Sequence, residues 1–265
     1  MDYRLIAIDL DGTLLKHDLT ISNLTRQVLA KALDMKINVV ICTGRMFCSA
    51  EPFAIDLGLS GYLIAHNGGY IKHLQTKHML RDIKLEARHA WKAFSIAKQY
   101  GALMNVYRGD TLYMENLSTA AKIYTKRLAV NPIIDSTMQA ALAENPTKIT
   151  FLVEPKNAIA LRNELISKLD HGLYIVNSLP NFIEIESGGV DKSTGLKILA
   201  EHLDIKREQI IAFGDNFNDL EMLEYAGIGI AMGNAPKEVK FKANFVTKSN
   251  EKDGIEKALT SILKL

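Results

Sequence analysis

Short apolar runs of strand length alternate with segments of helical spacing at both ends of this 265-residue chain. The first run lies in residues 4–14 (RLIAIDLDGTL), and it is followed by a helical pattern at 22–35 and a second apolar run at 37–42. A strand, a helix and a further strand in this order are typical of a parallel sheet with right-handed crossovers. The alternation predicts an α/β fold, doubly wound, with a mainly parallel, Rossmann-like sheet.

The alternation stops in the middle of the chain and resumes beyond a glycine pair. From about residue 83, helical patterns are interspersed with paired strand patterns, which favours an α+β arrangement built on an antiparallel sheet. We therefore expect a discontinuous core domain of residues 1–82 and 188–265. Residues 83–187 are expected to form a second domain inserted into it.

Composition excludes several classes of function. The chain carries 32 basic and 30 acidic residues, a net charge of +2, with no block of like charge. Neither nucleic acid nor a membrane is therefore an expected partner, and no apolar run approaches the roughly 18 residues of a membrane-spanning helix. Cys42 and Cys48 lack CxxC spacing, and no signal-peptide pattern precedes them, which favours a reduced, cytoplasmic location. The expected assembly is a monomer or a small homo-oligomer.

Two carboxylates, Asp9 and Asp11, end the first apolar run and precede Gly12 and Thr13. Alternate residues of a strand share a face, so both side chains are expected to start on one side of the sheet. Neighbouring carboxylates repel each other, which favours a bound cation or a shared proton. Asp and Gly are also ordinary turn residues, so an acidic turn without chemistry explains this segment equally well by itself.

Polar residues also follow two other predicted strands, at residues 43–45 and 214–219. Ligands of an open parallel sheet bind beyond the carboxyl ends of the strands, so the three loops are expected to converge on one crevice. Four carboxylates would then lie close together: Asp9, Asp11, Asp215 and Asp219. They suit Mg²⁺, a hard cation that takes oxygen ligands and shares them with phosphate. Zinc is the poorer candidate because these loops hold no Cys or His cluster.

Donor groups complete the predicted site. The Thr43 hydroxyl, the Gly44 amide, the Asn218 side chain and the Lys192 ammonium suit the oxygens of a phosphate group. A metal ion and these donors would together neutralise a phosphoryl group undergoing transfer. Each residue alone has an ordinary explanation as a strand exit, a helix cap or a solvated lysine. Their order and their common position at strand ends make phosphotransfer the more specific interpretation.

Four segments resemble the ordered motifs of the haloacid dehalogenase superfamily, in its Cof-type phosphatase branch: DLDGT (9–13), CTGR (42–45), Lys192 and GDNFND (214–219). Residues 227–247 also resemble that branch, so the resemblance covers the whole core domain. The inserted residues are similar, in position and element pattern, to the large α+β cap of these enzymes. The resemblance implies that this cap sets substrate specificity.

The resemblance also implies roles for the matched positions. Asp9 would be the nucleophile that forms an aspartyl-phosphate, and Asp11 would be the general acid and then the general base. Mg²⁺ would be held by Asp9, the Asp11 backbone carbonyl and Asp215, with Asp219 assisting directly or from the second layer of contacts.

The phosphoryl oxygens would be bound by Thr43 and Lys192, with Asn218 beside them. Dehalogenases lack the second aspartate, because a halide needs no proton to leave, so Asp11 favours a phosphatase.

The expected substrate is a small phosphorylated metabolite. Two alternatives stay open, a sugar phosphomutase and a regulatory module that binds a phosphometabolite without turnover. Residues 66–67, which end a core strand, are expected either to contact the substrate or to form a turn.

Overall fold

The computed structural model describes residues 2–169, 171–179 and 181–265. The chain divides into two compact units. The first unit consists of the residues up to Arg81 together with Asp191–Leu265, and the second is Asp82–Val190. These boundaries lie close to the expected ones at 82/83 and 187/188.

Helices and strands follow one another along the chain in the following order. The chain begins with β1 (Leu5–Ile8), α1 (Asn23–Asp34), β2 (Asn38–Ile41), α2 (Phe47–Asp56), β3 (Tyr62–Ala65), β4 (Tyr70–His73) and β5 (Met79–Asp82). It continues with α3 (Ala87–Lys98), β6 (Leu103–Arg108), β7 (Thr111–Met114), α4 (Thr119–Leu128), β8 (Ile133–Ile134), β9 (Lys148–Leu152), α5 (Pro155–Lys168), β10 (Leu173–Leu179) and β11 (Phe182–Ser187). It ends with α6 (Lys192–His202), β12 (Ile210–Gly214), α7 (Leu220–Tyr225), β13 (Ile228–Ala231), α8 (Lys237–Lys242), β14 (Phe245–Val246) and α9 (Gly254–Leu263). Among the described residues, no helix is both long and apolar enough to cross a membrane.

The first unit is built on a parallel sheet with the strand order β14-β13-β12-β1-β2. All neighbouring strands in it run parallel. The central strands β1 and β12 are buried along their whole length, as expected for a parallel sheet that is covered on both faces. The predicted doubly wound α/β fold is confirmed.

Alternate residues of β1 enter two different apolar layers. Ile6 and Ile8 pack in one layer with residues of α1, α2 and α9. Leu5 and Ala7 pack in the other with residues of α6 and α7. Full burial of one such Leu or Ile side chain stabilises a fold by about 1.5–3 kcal/mol. The period-2 geometry of the strand therefore sets which helices pack on each face of the sheet.

A small antiparallel sheet of order β3-β4-β5 follows the parallel sheet in the first unit. Strands β3 and β4 pair with Tyr62 opposite His73. A short 3-10 helix, His66–Gly68, connects them. The end of β2 also forms a parallel bridge between Cys42 and Ile64, which places β3 beside β2.

The second unit contains a sheet of order β10-β11-β9-β6-β7-β8. Its pairs are antiparallel apart from β7 and β8, which run parallel. One face of this sheet, including Ile149 and Phe151 of β9, packs with residues of α3 and α5. The predicted antiparallel sheet of the inserted residues is thus present. The sequence also predicts paired strands around Leu179 and Pro180, of which Pro180 lies outside the described residues.

Candidate active site

Asp9 lies immediately beyond β1. Its backbone N–H donates to the Phe213 carbonyl at 3.0 Å, so the pairing with β12 extends to the strand exit. The side chain is buried, and its Oδ1 accepts a hydrogen bond from Lys192 Nζ at 2.6 Å. Burial raises the pKa of Asp9 well above its ordinary value. Lys192 opposes that shift, while the charges of Asp219 and Asp215 add to it.

Lys192 is the first residue of α6, and the helix start is fixed by a capping box. Asp191 Oδ1 accepts a hydrogen bond from the Thr194 N–H at 2.9 Å. Lys192 is 1% exposed, and its Nζ donates to one oxygen each of Asp9 and Asp219, both at 2.6 Å. Burial by itself lowers the pKa of Lys192, but the charges of Asp219 and Asp9 outweigh burial and raise this pKa above its ordinary value. The ammonium is therefore held charged between two carboxylates.

A close approach of two glycines brings the start of α6 to the strand exits. A Cβ atom on Gly195 would lie 2.6 Å from the Gly68 Cα, and one on Gly68 would lie 2.3 Å from the Asp191 carbonyl oxygen. Larger residues at either position would push α6 away from the 3-10 helix that follows β3. The burial of Lys192 depends on this backbone contact.

Asp219 and Asp215 share the loop after β12 but have different surroundings. Asp219 is fully buried, and its Oδ2 accepts hydrogen bonds from the backbone N–H groups of Asp215 at 2.8 Å and Asn216 at 2.9 Å. Since its Oδ1 accepts from Lys192, both oxygens of Asp219 are engaged in shaping the loop. Asp215 Oδ1 accepts from the Thr13 hydroxyl at 3.0 Å. Burial, followed by the charge of Asp219, raises the pKa of Asp215 to about 6.

Three of the predicted carboxylates converge as a metal site requires. Asp9, Asp215 and Asp219 each offer an oxygen, and these oxygens all lie within 4.8 Å of one another. The donor set is made of hard oxygens, which fits a cation such as Mg²⁺. The ammonium of Lys192 balances one of these three negative charges, so a divalent cation would balance the other two.

Asp11 directs its carboxylate to an arginine. Arg45 Nε donates to Asp11 Oδ2 and Arg45 Nη2 donates to Asp11 Oδ1, both at 2.6 Å. The Arg45 guanidinium is buried and lies 5.5 Å from the centroid of the Phe53 ring. A bidentate pair of this kind fixes orientation as well as charge. The sequence motif contains Arg45, but its partner could not be read from the sequence.

Three of the four predicted phosphate donors, Thr43, Gly44 and Asn218, lie around Asn67, whereas the ammonium of the fourth, Lys192, binds Asp9 and Asp219. Thr43 is buried, and its Oγ1 accepts a hydrogen bond from the Arg45 N–H at 3.1 Å. A Cβ atom on Gly44 would lie 2.9 Å from Asn67 Oδ1. That same oxygen accepts a hydrogen bond from Asn218 Nδ2 at 3.2 Å. The sequence left two roles open for Asn67, a substrate contact or a turn. Asn67 belongs to the 3-10 helix and also contacts two predicted site residues.

Sequence reasoning missed Asn234, which joins two parts of the site. Its Nδ2 donates to the Gly12 carbonyl at 2.9 Å and to Asp215 Oδ2 at 3.1 Å, and its Oδ1 accepts from the Asn250 N–H at 3.2 Å. Asn234 follows the exit of β13. The rule that polar residues at strand exits face the ligand would have found it, had it been applied to this fourth strand.

The chain is similar to known proteins along most of its length. A family model described as haloacid dehalogenase-like hydrolase matches residues 6–259. The chain is 32% identical over 273 residues to the 5-amino-6-(5-phospho-D-ribitylamino)uracil phosphatase YcsE of Bacillus subtilis, covering 98% of this chain and 95% of that protein. It is 31% identical over 276 residues to the pyridoxal phosphate phosphatase YbhA of Escherichia coli, covering 99% and 100% of the two chains. A solved haloacid dehalogenase-like hydrolase from Bacteroides thetaiotaomicron superimposes with a TM-score of 0.91 at 29% identity, covering 98% and 99%.

Proposed function

Because the chain belongs to the haloacid dehalogenase-like hydrolases, we propose that it is a Mg²⁺-dependent phosphatase that forms an aspartyl-phosphate on Asp9. The observation that carries the proposal is the buried carboxylate at the β1 exit, held by Lys192 beside a second and a third carboxylate. Two relatives are named as phosphatases of small phosphorylated compounds, one a ribitylaminouracil and the other pyridoxal phosphate. A small phosphorylated metabolite is accordingly the substrate class, and we assign its selection to the inserted unit Asp82–Val190.

The first step is the attack of an Asp9 carboxylate oxygen on phosphorus. The new oxygen–phosphorus bond forms as the bond from phosphorus to the substrate alcohol breaks, and Asp11 gives its proton to the leaving oxygen. Lys192 holds Asp9 in position through its 2.6 Å hydrogen bond. The Thr43 hydroxyl and the Gly44 amide bind the phosphoryl oxygens.

The second step returns Asp9 to its starting form. Water attacks the phosphorus of the aspartyl-phosphate while Asp11 accepts the proton of that water. The acyl phosphate bond breaks, which releases inorganic phosphate. Because both oxygens of Asp11 bind Arg45, one of them must leave Arg45 and turn to the substrate, carrying the proton in the first step and receiving one from water in the second. Arg45 then orients Asp11 through the other oxygen.

A bound Mg²⁺ would neutralise charge on the phosphoryl group during both steps. Asp9, Asp215 and the Asp11 backbone carbonyl would hold it. We assign Asp219 to the layer behind these ligands, because it is fully buried and its oxygens already accept hydrogen bonds from Lys192 and from two backbone N–H groups. Asp215, in contrast, is only partly buried. In that position Asp219 keeps the loop that carries Asp215 in its shape.

The test uses Asp9→Asn, which removes the nucleophile with little change of volume. Phosphate release from an aryl phosphate in the presence of Mg²⁺ is expected to fall by about 10⁴-fold or more. Mass spectrometry of the acid-quenched wild-type protein is expected to find a phosphoryl group on the peptide that contains Asp9. Asp34→Asn, at an exposed position at the end of α1, is the matched control and should retain full activity.

Wild-type activity in Asp9→Asn would contradict the proposal. A panel of phosphorylated metabolites then identifies the substrate, with Asp9→Asn as the blank. Isomer formation without net release of phosphate would identify a phosphomutase, and calorimetric binding without any turnover would identify a regulatory module.

A further inference from the structure

Three imidazoles surround the ring of one tyrosine, Tyr62, on the first unit. Tyr62 begins β3, His73 ends β4, His78 precedes β5 and His202 ends α6. His78 and His202 are exposed, whereas Tyr62 and His73 are half-buried. Lys192 begins the same 11-residue helix that His202 ends, so the imidazole cluster lies about 15 Å along that helix from the carboxylate cluster.

Two of the imidazoles direct a nitrogen to the same point. The Tyr62 Oη atom lies 3.0 Å from His78 Nδ1 and 3.1 Å from His202 Nε2. The two imidazole rings are stacked at an interplanar angle of 21°, with centroids 6.4 Å apart. One hydroxyl carries one proton, which it can donate to only one of the two nitrogens. At most one nitrogen therefore accepts a hydrogen bond from the hydroxyl, and the tautomers of the two rings decide how many of the nitrogens present a lone pair here.

His73 contributes differently from the other two imidazoles. Its Nδ1 accepts hydrogen bonds from the backbone N–H groups of Gln75 and Thr76, both at 3.2 Å. The neutral ring therefore carries its proton on Nε2 and has no second lone pair. His73 packs edge-on against the Tyr62 ring, with centroids 4.8 Å apart. It thus orients the tyrosine, and the pair His78 and His202 remains as the ligand set.

We propose that His78 Nδ1 and His202 Nε2 bind a late first-row divalent transition metal, of which Cu²⁺ is the strongest binder. Imidazole nitrogens suit Cu²⁺, Ni²⁺ and Zn²⁺, whereas carboxylate, carbonyl and water ligands suit Mg²⁺. The Tyr62 hydroxyl lies where it can fill a further coordination position or yield to water. The ion replaces the hydrogen bonds that both imidazoles share with Tyr62, and it links the end of α6 to the start of β5. This site is independent of the proposed phosphatase reaction.

The test uses the full chain without a histidine tag, with excess Mg²⁺ to occupy the carboxylate cluster. One equivalent of Cu²⁺ is added, and electron paramagnetic resonance is expected to show coupling to two imidazole nitrogens. His78→Ala and His202→Ala should each remove the two-nitrogen signal. Loss of a residue that only hydrogen-bonds to a metal ligand weakens metal binding roughly 10- to 100-fold. Loss of either imidazole should weaken Cu²⁺ binding by more than that. His171→Ala, at an exposed position in the second unit, is the matched control and should change neither result.

Tyr62→Phe separates the metal ligands from the hydrogen-bonded bridge, because it removes the hydroxyl and keeps both imidazoles. The two-nitrogen signal should persist in this variant. Cu²⁺ should also raise the Tm of the wild type and of Tyr62→Phe by mass action, but not that of His202→Ala. A wild-type spectrum without nitrogen coupling would overturn the site. An unchanged spectrum or an unchanged rise of Tm in both histidine variants would overturn it equally.

Discussion

Each unit of the molecule contains a buried lysine that is surrounded by acids. In the first unit, the side chain of Lys192 is 1% exposed and binds two aspartates at 2.6 Å. In the second unit, the side chain of Lys148 is 4% exposed and binds Glu184 at 3.0 Å, and Glu186 lies directly opposite it in the strand register. In both cases burial by itself lowers the lysine pKa, while the neighbouring carboxylates outweigh burial and raise it.

The two clusters differ in how the chain assembles them. Glu184 and Glu186 are alternate residues of β11, so the register of one antiparallel pair puts both beside Lys148 in the middle of a sheet. The acids around Lys192 instead come from loops beyond two parallel strands, and a further carboxylate, Asp215, adds negative charge there. A buried ion pair is therefore no mark of an active site by itself. The position at strand exits and the surplus carboxylate distinguish the cluster that we propose to be catalytic.

Replacement of Lys192 should have the largest effect, because it should lower both stability and kcat. Lys192→Met leaves two buried carboxylates without their cation, which should cost about 3–5 kcal/mol of the free energy of unfolding. It should also lower kcat by about 10²- to 10³-fold, because Asp9 loses the donor that positions it. Denaturant unfolding and steady-state hydrolysis of an aryl phosphate measure the two effects. Lys197→Met, exposed on the same helix, should change neither, and wild-type kcat in Lys192→Met would refute the assignment.

Replacement of Lys148 should affect stability without the same loss of catalysis. Lys148→Met leaves the buried Glu186 and the partly buried Glu184 without their cation, so the second unit should also lose about 3–5 kcal/mol of unfolding free energy. Hydrogen exchange of the second unit measures this loss, and aryl phosphate hydrolysis should retain most of its kcat. Lys156→Met, on the exposed side of α5, is the control. A fall in kcat as large as that of Lys192→Met would place both lysines in the catalytic machinery.

The core and most of the site are predictable from sequence because burial on both faces makes each parallel strand a continuous apolar run. The polar residue that follows such a run can then be recognised in the sequence, and Asp9, Thr43 and Asp215 are found in this way. Their convergence follows from the common direction of parallel strands. Lys192 is harder to find from physics alone, since its burial depends on the Gly68 and Gly195 contact between elements far apart in sequence.

The remaining features depend on side-chain partners that a single sequence does not specify. The bidentate pair of Asp11 with Arg45 and the contact of Asn234 with Asp215 join residues from different loops. The short strand β8 was not predicted either, because its two residues are both exposed and too few to show a period.

A smaller effect is expected where the backbone of the β1 exit approaches the proposed metal site. Gly12 has φ +84°, and a Cβ atom there would lie 2.4 Å from Asp215 Oδ2. Gly12→Ala should therefore displace Asp215 and weaken the apparent affinity for Mg²⁺ by about 100-fold, measured from the Mg²⁺ dependence of kcat. Gly101, in the second unit, has φ +65° with no atom within 4 Å of the added Cβ. Gly101→Ala carries a similar backbone strain of roughly 1–2 kcal/mol and should leave the Mg²⁺ dependence unchanged.

The smallest effect is expected for replacement of Asn234, whose side chain donates a hydrogen bond to Asp215. Asn234→Ala removes the hydrogen bonds to the Gly12 carbonyl and to Asp215 Oδ2, so the affinity for Mg²⁺ should fall by about tenfold. Asn244→Ala is the control because it removes a hydrogen bond of similar kind, from the Gly229 N–H to Asn244 Oδ1 at 2.7 Å. Each variant should lose about 1 kcal/mol of unfolding free energy, but only Asn234→Ala should shift the Mg²⁺ dependence. Equal shifts in both would mean that the fold as a whole, and not this contact, positions Asp215.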